Sequence, residues 1–473
     1  LKDTNSGEKK EFIRTLGPFS ASALIVGSII GTGIFFYVSD VGNLLRNPPL
    51  ILSAWAIGGI IALVGSFCLS ELAATYPETG GTYVYLRKAF GPFIAFEYAW
   101  AKFFIMRVGS LSIQTMAFAQ FAAEFFSVEV YKIQKPVAIG ALAFICGINI
   151  IGVRWGSFTQ NVLTTLKILS LILLILIGVA VSIGLLNSNS PDTLIPAPEP
   201  SGRPVYVLYG LALIAIMWTF GGWDESPFVA EEIIRPERNI PISLIGGLLT
   251  CVVLYVLTNA AYIAVLGPEE FVSSGGRTAT LFLDRAVGSW AKSILSVVLM
   301  ISTFGAANGF VLTSGRIIYA TGQDNRIFHW FAKTHHLTKT PVRGLIVQFI
   351  LGTTAIMVMD NPFKLVIFTG FAYWAFSSLV PVALVILRRK DPQSPRPFRA
   401  LLYPVSPVLF FLASLVMMGA VIKNDITKWT MSRDLFSDPP TTIVSLVIFI
   451  AGIIVFLSQR IKKSGPGVIQ QNK

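Results

Sequence analysis

The chain has 473 residues, 53% of them hydrophobic and 13% charged, with a formal net charge of +12. Soluble domains carry about 25% charged residues, so this chain could not cover a water-exposed surface, and its mean hydropathy of +0.68 agrees. In a soluble protein the basic excess would suggest nucleic acid; here the lysines and arginines flank apolar blocks, so they read as topology signals and nucleic acid is not an expected partner.

Apolar blocks of membrane-crossing length recur along the whole chain, the plainest being residues 168–186 (ILSLILLILIGVAVSIGLL). A stretch of about 18 apolar residues crosses roughly 30 Å of hydrocarbon. In chain order the blocks lie at residues 18–46, 50–75, 91–124, 136–152, 158–186, 205–235, 241–266, 288–321, 342–360, 362–387, 403–423 and 440–460. They predict an all-α polytopic membrane protein with about twelve spans. One cleavable leader cannot account for so many blocks, and the first span is expected to act as an uncleaved anchor. Residues 79–88 read as a short interfacial helix and 267–287 as a longer outer loop with helical pieces. Residues 392–407, rich in proline and arginine, cannot continue a helix and read as a stiff linker. Basic residues are about twice as frequent in the loops of one side as in those of the other, which puts both termini, the tails 1–17 and 461–473, in the cytoplasm of a plasma-membrane protein.

Two spans are interrupted. The first contains GSIIGTGIF (residues 27–35), with three glycines and a threonine within seven residues. Such glycines either let helices pack closely or open the helix, and an opened backbone survives in lipid only against protein or a water-filled cavity. The half-helix after a break starts with free amides at the positive end of its dipole, a seat for a carboxylate. The sixth span contains WTFGGWDESP (residues 218–227), where Gly221, Gly222 and Pro227 break the helix beside Asp224 and Glu225. Acids at this depth mark a site unless the second half-span is short enough for them to reach water. Breaks in spans one and six are what two five-helix repeats of opposite orientation produce, with the solute site between them. The repeats would cover residues 18–186 and 205–387, followed by a linker (388–402) and two additional helices (403–460).

Lys167 lies deep in the fifth span with no acid within a helical turn. It reads as a fixed internal cation or a proton carrier, with the hydroxyls of Ser302 and Thr303 in span eight as candidate partners. Glu97, Lys102 and Arg107 in span three read either as a buried ion network or as a cytoplasmic vestibule, with a structural or gating network the favoured reading. Cys68, Cys146 and Cys251 sit in apolar blocks as small hydrophobes, and His329, His335 and His336 share one loop without metal-ligand spacing. There is no phosphate loop, HExxH or GxSxG, so no enzyme, metal or cofactor is expected.

GSIIGTGIF resembles the signature of the amino acid–polyamine–organocation transporters. So do ELAATYPETGGTYVYLRKAFGP (71–92), AEEIIRPERNIP (230–241), ISTFGAANGFVLTSGRIIYA (301–320) and RRKDPQSPRPF (388–398). FGGWDE, the TTLKIL around Lys167 and the IMR ending at Arg107 are most similar to the L-type amino-acid transporter branch and its bacterial relatives. The resemblance implies a LeuT-like fold of ten core helices in inverted repeats plus two more, with a site between spans one, three, six, eight and ten. It implies that the amides of Gly31, Thr32 and Gly33 hold a substrate carboxylate, and that the carbonyls of Ile29, Trp218 and Gly221 hold the amine. Trp218 would gate the site, and Lys167 with Ser302 would stand where sodium-dependent relatives bind an ion. Segment 126–135 (FSVEVYKIQK) lacks the cysteine that ties animal L-type members to a heavy subunit, so none is expected to be covalently attached. Asp224 stands where those members often have asparagine, which leaves proton coupling open.

The expected function is alternating-access exchange of L-amino acids, most plausibly neutral ones, without sodium. The alternatives are proton-coupled uptake of amino acids or polyamines and, with only short tails to signal through, a non-transporting nutrient receptor. A side chain at Gly33 is expected to fill the space the carboxylate needs.

Overall fold

The computed structural model describes residues 14, 16–78, 80–151, 156–186, 204–333, 342–359, 362–432 and 441–463. Most of both tails, together with His335 and His336, lie outside the described residues. The described residues fold almost entirely into helices. Among the described residues one isolated β-bridge joins Leu16 to Ile233, at the end of the sixth span.

Nine helices among the described residues are long and apolar enough to cross a bilayer. The other three expected spans miss that standard for physical reasons. Span three (Pro92–Ala101, Lys102–Arg107, Val108–Phe125) is long enough but carries Glu97, Lys102, Arg107 and Glu124. Span six is interrupted after Val205–Thr219, and span nine, Val342–Val358, has 17 residues. Proline opens several of these helices at the first turn, as at Pro18, Pro48, Pro92 and Pro236, where its missing N–H costs nothing. The interfacial helix expected near residue 79 is Thr82–Phe90. Span seven runs further than expected, from Pro236 to Ser273. Gly267 (φ 70°) takes the bend and Pro268 restarts the helix beyond it, so much of the expected outer loop is helical, as is Thr278–Ala286.

The packing is inside-out relative to a soluble protein. On span five (Gly156–Ser182), Leu169, Leu173 and Leu176 are more than half exposed, whereas Lys167 is 2% exposed. Apolar side chains face outward where hydrocarbon is the solvent, and the charged groups are turned into the bundle.

The proline-rich linker is clasped to the end of span two (Pro48–Thr75). Glu71, buried, accepts from Arg388 Nε (2.8 Å) and Nη2 (2.5 Å) and from the amide of Ala400 (2.7 Å). Arg388 also lies over the Tyr403 ring at 3.6 Å. Ser394 and Tyr76 donate to Asp391 and hold its carboxyl below the usual carboxylate range. Glu71→Ala is expected to cost about 2–3 kcal/mol, the scale of hydrogen bonds to a charged group. It should also speed tryptic cleavage after Arg399. An unchanged melting temperature in detergent, with unchanged cleavage, would mean that other contacts hold the linker.

Candidate functional site

The first break begins where Pro18–Ile29 ends. The amide of Gly31 turns back to the Ile29 carbonyl (2.7 Å), and the Thr32 carbonyl accepts from Phe35 (3.1 Å) and Phe36 (2.8 Å) to start the next helical turn. The amides of Gly33 and Ile34 therefore precede any intrahelical acceptor. A Cβ at Gly31 would come within 2.9 Å of Gln114 Nε2, and one at Gly33 within 2.3 Å of Thr219 Cγ2. The same glycines thus serve both readings open in the sequence, an opened helix and close approach of neighbours. The expectation for Gly33 is corrected: a side chain there would collide with span six.

The second break follows Val205–Thr219. Gly221 donates to the Trp218 carbonyl (2.8 Å), Gly222 turns at φ 105°, and Trp223–Glu232 continues as a tighter 3-10 helix. The second half-span was expected to be an α-helix, but Pro227 offers no amide to an α-helical ladder. A Cβ at Gly222 would meet the Ser28 carbonyl oxygen at 2.7 Å, so the two broken backbones touch there.

Between the breaks lies a small cavity of about 60 Å³. Its wall comes from spans one, three, six, eight and ten, the last two through Phe310 and through Thr369, Gly370, Tyr373 and Trp374. Of the residues singled out in the sequence, Ile29, Gly31, Thr32, Gly33, Trp218, Gly221 and Asp224 line it, whereas Lys167 and Ser302 do not. The Trp218 ring stands edge-on to Tyr37 with centroids 5.2 Å apart. The Ile29 carbonyl accepts from Tyr255 Oη (2.8 Å) and from Gly31 (2.7 Å), which occupies both of its acceptor positions. The Trp218 carbonyl likewise already accepts from Phe220 and Gly221, so for an amine the Gly221 carbonyl is the better placed.

Span three is wound as a π-helix over Lys102–Arg107, a form concentrated at functional sites. Lys102 Nζ donates to Asp224 Oδ2 at 3.1 Å and lies 3.6 Å from Glu225 Oε1. Arg107 Nη2 reaches both oxygens of Glu225, at 2.7 and 3.0 Å. All four side chains line the cavity. The network foreseen within span three is therefore a bridge from span three to span six. Glu97 does not belong to it: a Cβ at Gly452 would meet its carboxylate at 2.8 Å, so it faces span twelve (Thr441–Lys463).

Lys167 Nζ donates to the Gly27 carbonyl at 3.1 Å, just before the first break, and Thr164 of the same span donates to Ala23 (3.2 Å). The hydroxyl expected to complete a bridge to span eight is not engaged: Ser302 Oγ is buried without a hydrogen-bond partner. Thr303 donates within its own helix to Met300.

Gln114, Ser110, Tyr373 and Trp374 also line the cavity and were not singled out in the sequence. Gln114 had a signal, a large polar side chain amid the apolar residues of span three; the aromatic pair in span ten had none.

The family model described as amino acid permease matches residues 16–457. The chain is 30% identical over 468 residues to the b(0,+)-type amino acid transporter 1 of Mus musculus, covering 96% of this chain and 90% of that one. It is 27% identical to the large neutral amino acids transporter small subunit 2 of Mus musculus (94% and 80% covered). It is 28% identical to the cystine/glutamate transporter of Homo sapiens (96% and 86% covered).

Proposed function

We infer the function of this chain from its family, for it belongs to the amino acid permeases, and from the cavity at its two helix breaks. It is a membrane-embedded secondary transporter of amino acids, not an enzyme. Our reading is that it works by alternating access as a sodium-independent exchanger of neutral L-amino acids. The observation that carries this is the meeting of two opened backbones at one cavity, lined on one side by Gly33, whose amide precedes any intrahelical acceptor, and on the other by the carbonyl-bearing turn at Gly221. An amide group at the positive end of a helix suits a carboxylate, and carbonyls suit an ammonium.

Lys167 supports the sodium-independent reading, because its ammonium already sits on the Gly27 carbonyl as a tethered cation. Proton coupling through Asp224 gains nothing from the geometry, since that carboxylate is ion-paired with Lys102. We place residues 18–186 and 205–387 as the inverted repeats, and both termini in the cytoplasm of a plasma-membrane protein, on break position and charge bias. A covalently attached heavy subunit is not expected, because Cys68, Cys146 and Cys251 are all buried.

Purified protein in liposomes should take up labelled amino acid only when amino acid is present inside, with no response to sodium or an imposed pH gradient. Uptake into empty vesicles driven by the pH gradient would overturn the exchange reading. Lys167→Ala is expected to cut uptake at least about tenfold while leaving most of the protein folded; normal turnover in that variant would remove Lys167 from the mechanism.

A further inference from the structure

We propose that the cavity selects amino acids whose side chains are uncharged and carry both a hydrogen-bond donor and an acceptor, carboxamides foremost, over aliphatic and aromatic ones. This rests on the reading of the chain as an amino-acid transporter and adds the chemistry of its side-chain subsite.

Charge decides the first half. Lys102 and Asp224 (3.1 Å) and Arg107 and Glu225 (2.7 Å) pair two and two across the wall, so these four groups present no net charge. A substrate side chain bearing a charge would enter without a counter-ion, in a place where an unpaired charge is the most costly guest. Lysine-like and glutamate-like side chains are therefore disfavoured.

Unmade hydrogen bonds decide the second half. Besides Tyr373 Oη, three polar atoms of the lining residues are buried without a partner: Arg107 Nε, Gln114 Oε1 and Thr32 Oγ1. The residues of these three are 3%, 3% and 0% exposed, so bulk water does not supply what the protein withholds. Buried polar atoms almost always have a partner, and an orphaned cluster at a cavity points to a ligand that completes it. Arg107 Nε–H requires an acceptor, Gln114 Oε1 requires a donor, and the Thr32 hydroxyl serves as either. A carboxylate offers no donor to Gln114 Oε1. A carboxamide offers a carbonyl and an NH₂ together. A leucine or phenylalanine side chain would seal these atoms away from any partner, and a site built to bond a polar group strongly rejects the analogue that lacks it.

The test uses the full chain in liposomes preloaded with unlabelled glutamine, and reads inhibition of labelled-glutamine exchange by external asparagine, serine, leucine, phenylalanine, lysine and glutamate. Asparagine is expected to compete at a concentration at least about tenfold below leucine or phenylalanine. Lysine and glutamate should be weaker still. Gln114→Leu should raise the KM for glutamine and bring the glutamine-to-leucine preference close to one. Leucine competing as well as asparagine in the wild-type protein would overturn this proposal and leave amino-acid transport standing. If no amino acid moves, and none raises the melting temperature of the wild-type protein in detergent, the transport reading falls and takes the proposal with it. A Gln114→Leu variant that folds and keeps the wild-type preference would overturn the assignment of Gln114 as a selector. Should that variant not fold, the wild-type inhibition series decides alone.

Discussion

Replacing Glu225 with alanine is expected to lower the stability of the folded protein by about 3–5 kcal/mol, the usual cost of removing one partner from a buried ion pair. The loss arises less from the bond itself than from what is left behind. Arg107, 3% exposed, would keep a positive charge in the bundle interior, with only the already paired Asp224 of the network remaining as an acid. The double variant Arg107→Met/Glu225→Leu removes both charges and should recover most of the lost stability, since well-packed apolar replacements of buried pairs are often neutral. Thermal unfolding in detergent separates the cases. A double variant as unstable as Glu225→Ala alone would show that volume and backbone, not the stranded charge, dominate. Lys102→Met should be milder, because the Asp224 side chain it strands is 12% exposed, against 3% for Arg107.

The second large effect is expected at Gly222. Its φ of 105° belongs to glycine, and holding another residue there costs about 1–3 kcal/mol. A Cβ would also stand 2.7 Å from the Ser28 carbonyl oxygen, which is backbone and cannot swing aside. That overlap adds about 1–3 kcal/mol. Gly222→Val should therefore separate the two breaks and abolish amino-acid binding, even in whatever fraction of the protein still folds. Gly246→Ala is the control: nothing lies within 4 Å of its would-be Cβ and the residue is helical, so that change should be neutral or slightly stabilising. Binding retained in Gly222→Val would mean that the cavity does not depend on contact between the breaks.

Much of the architecture was readable before any coordinates because lipid imposes one-dimensional rules. A span must be long and apolar, and a polar interruption must serve something, so residues 27–35 and 218–227 stood out by composition alone. Lys167 stood out for the same reason, and its contact with Gly27 fits a tethered cation. What could not be read was pairing across distance. Nothing in the order of residues ties Lys102 to Asp224, 122 positions away, or directs Glu97 toward Gly452 rather than toward its neighbours in span three. The engagement of the Ile29 carbonyl by Tyr255 was hidden likewise, since Tyr255 belongs to a different span. The cavity wall in span ten was missed because Tyr373 and Trp374 look like any aromatic pair in an apolar run.

The π-helical turn at Lys102–Arg107 gives its two cations an angular setting. Each residue of an α-helix turns the chain by about 100°. Residues five apart would then point about 140° away from each other, whereas a π turn brings them nearly into line. Both Lys102 and Arg107 reach Glu225 for that reason. Loss of one residue would let this turn close to an α-helical one: five α-helical residues turn the chain about as far as six in the wider π form, so Val108–Phe125 would keep its angle and Gln114 its face, while Lys102 and Arg107 would no longer both be set to reach Glu225. The sixth residue of this turn therefore bears on the ion pairs alone: it brings two cations of one helix onto one carboxylate without moving the face that the rest of the third span turns to the solute.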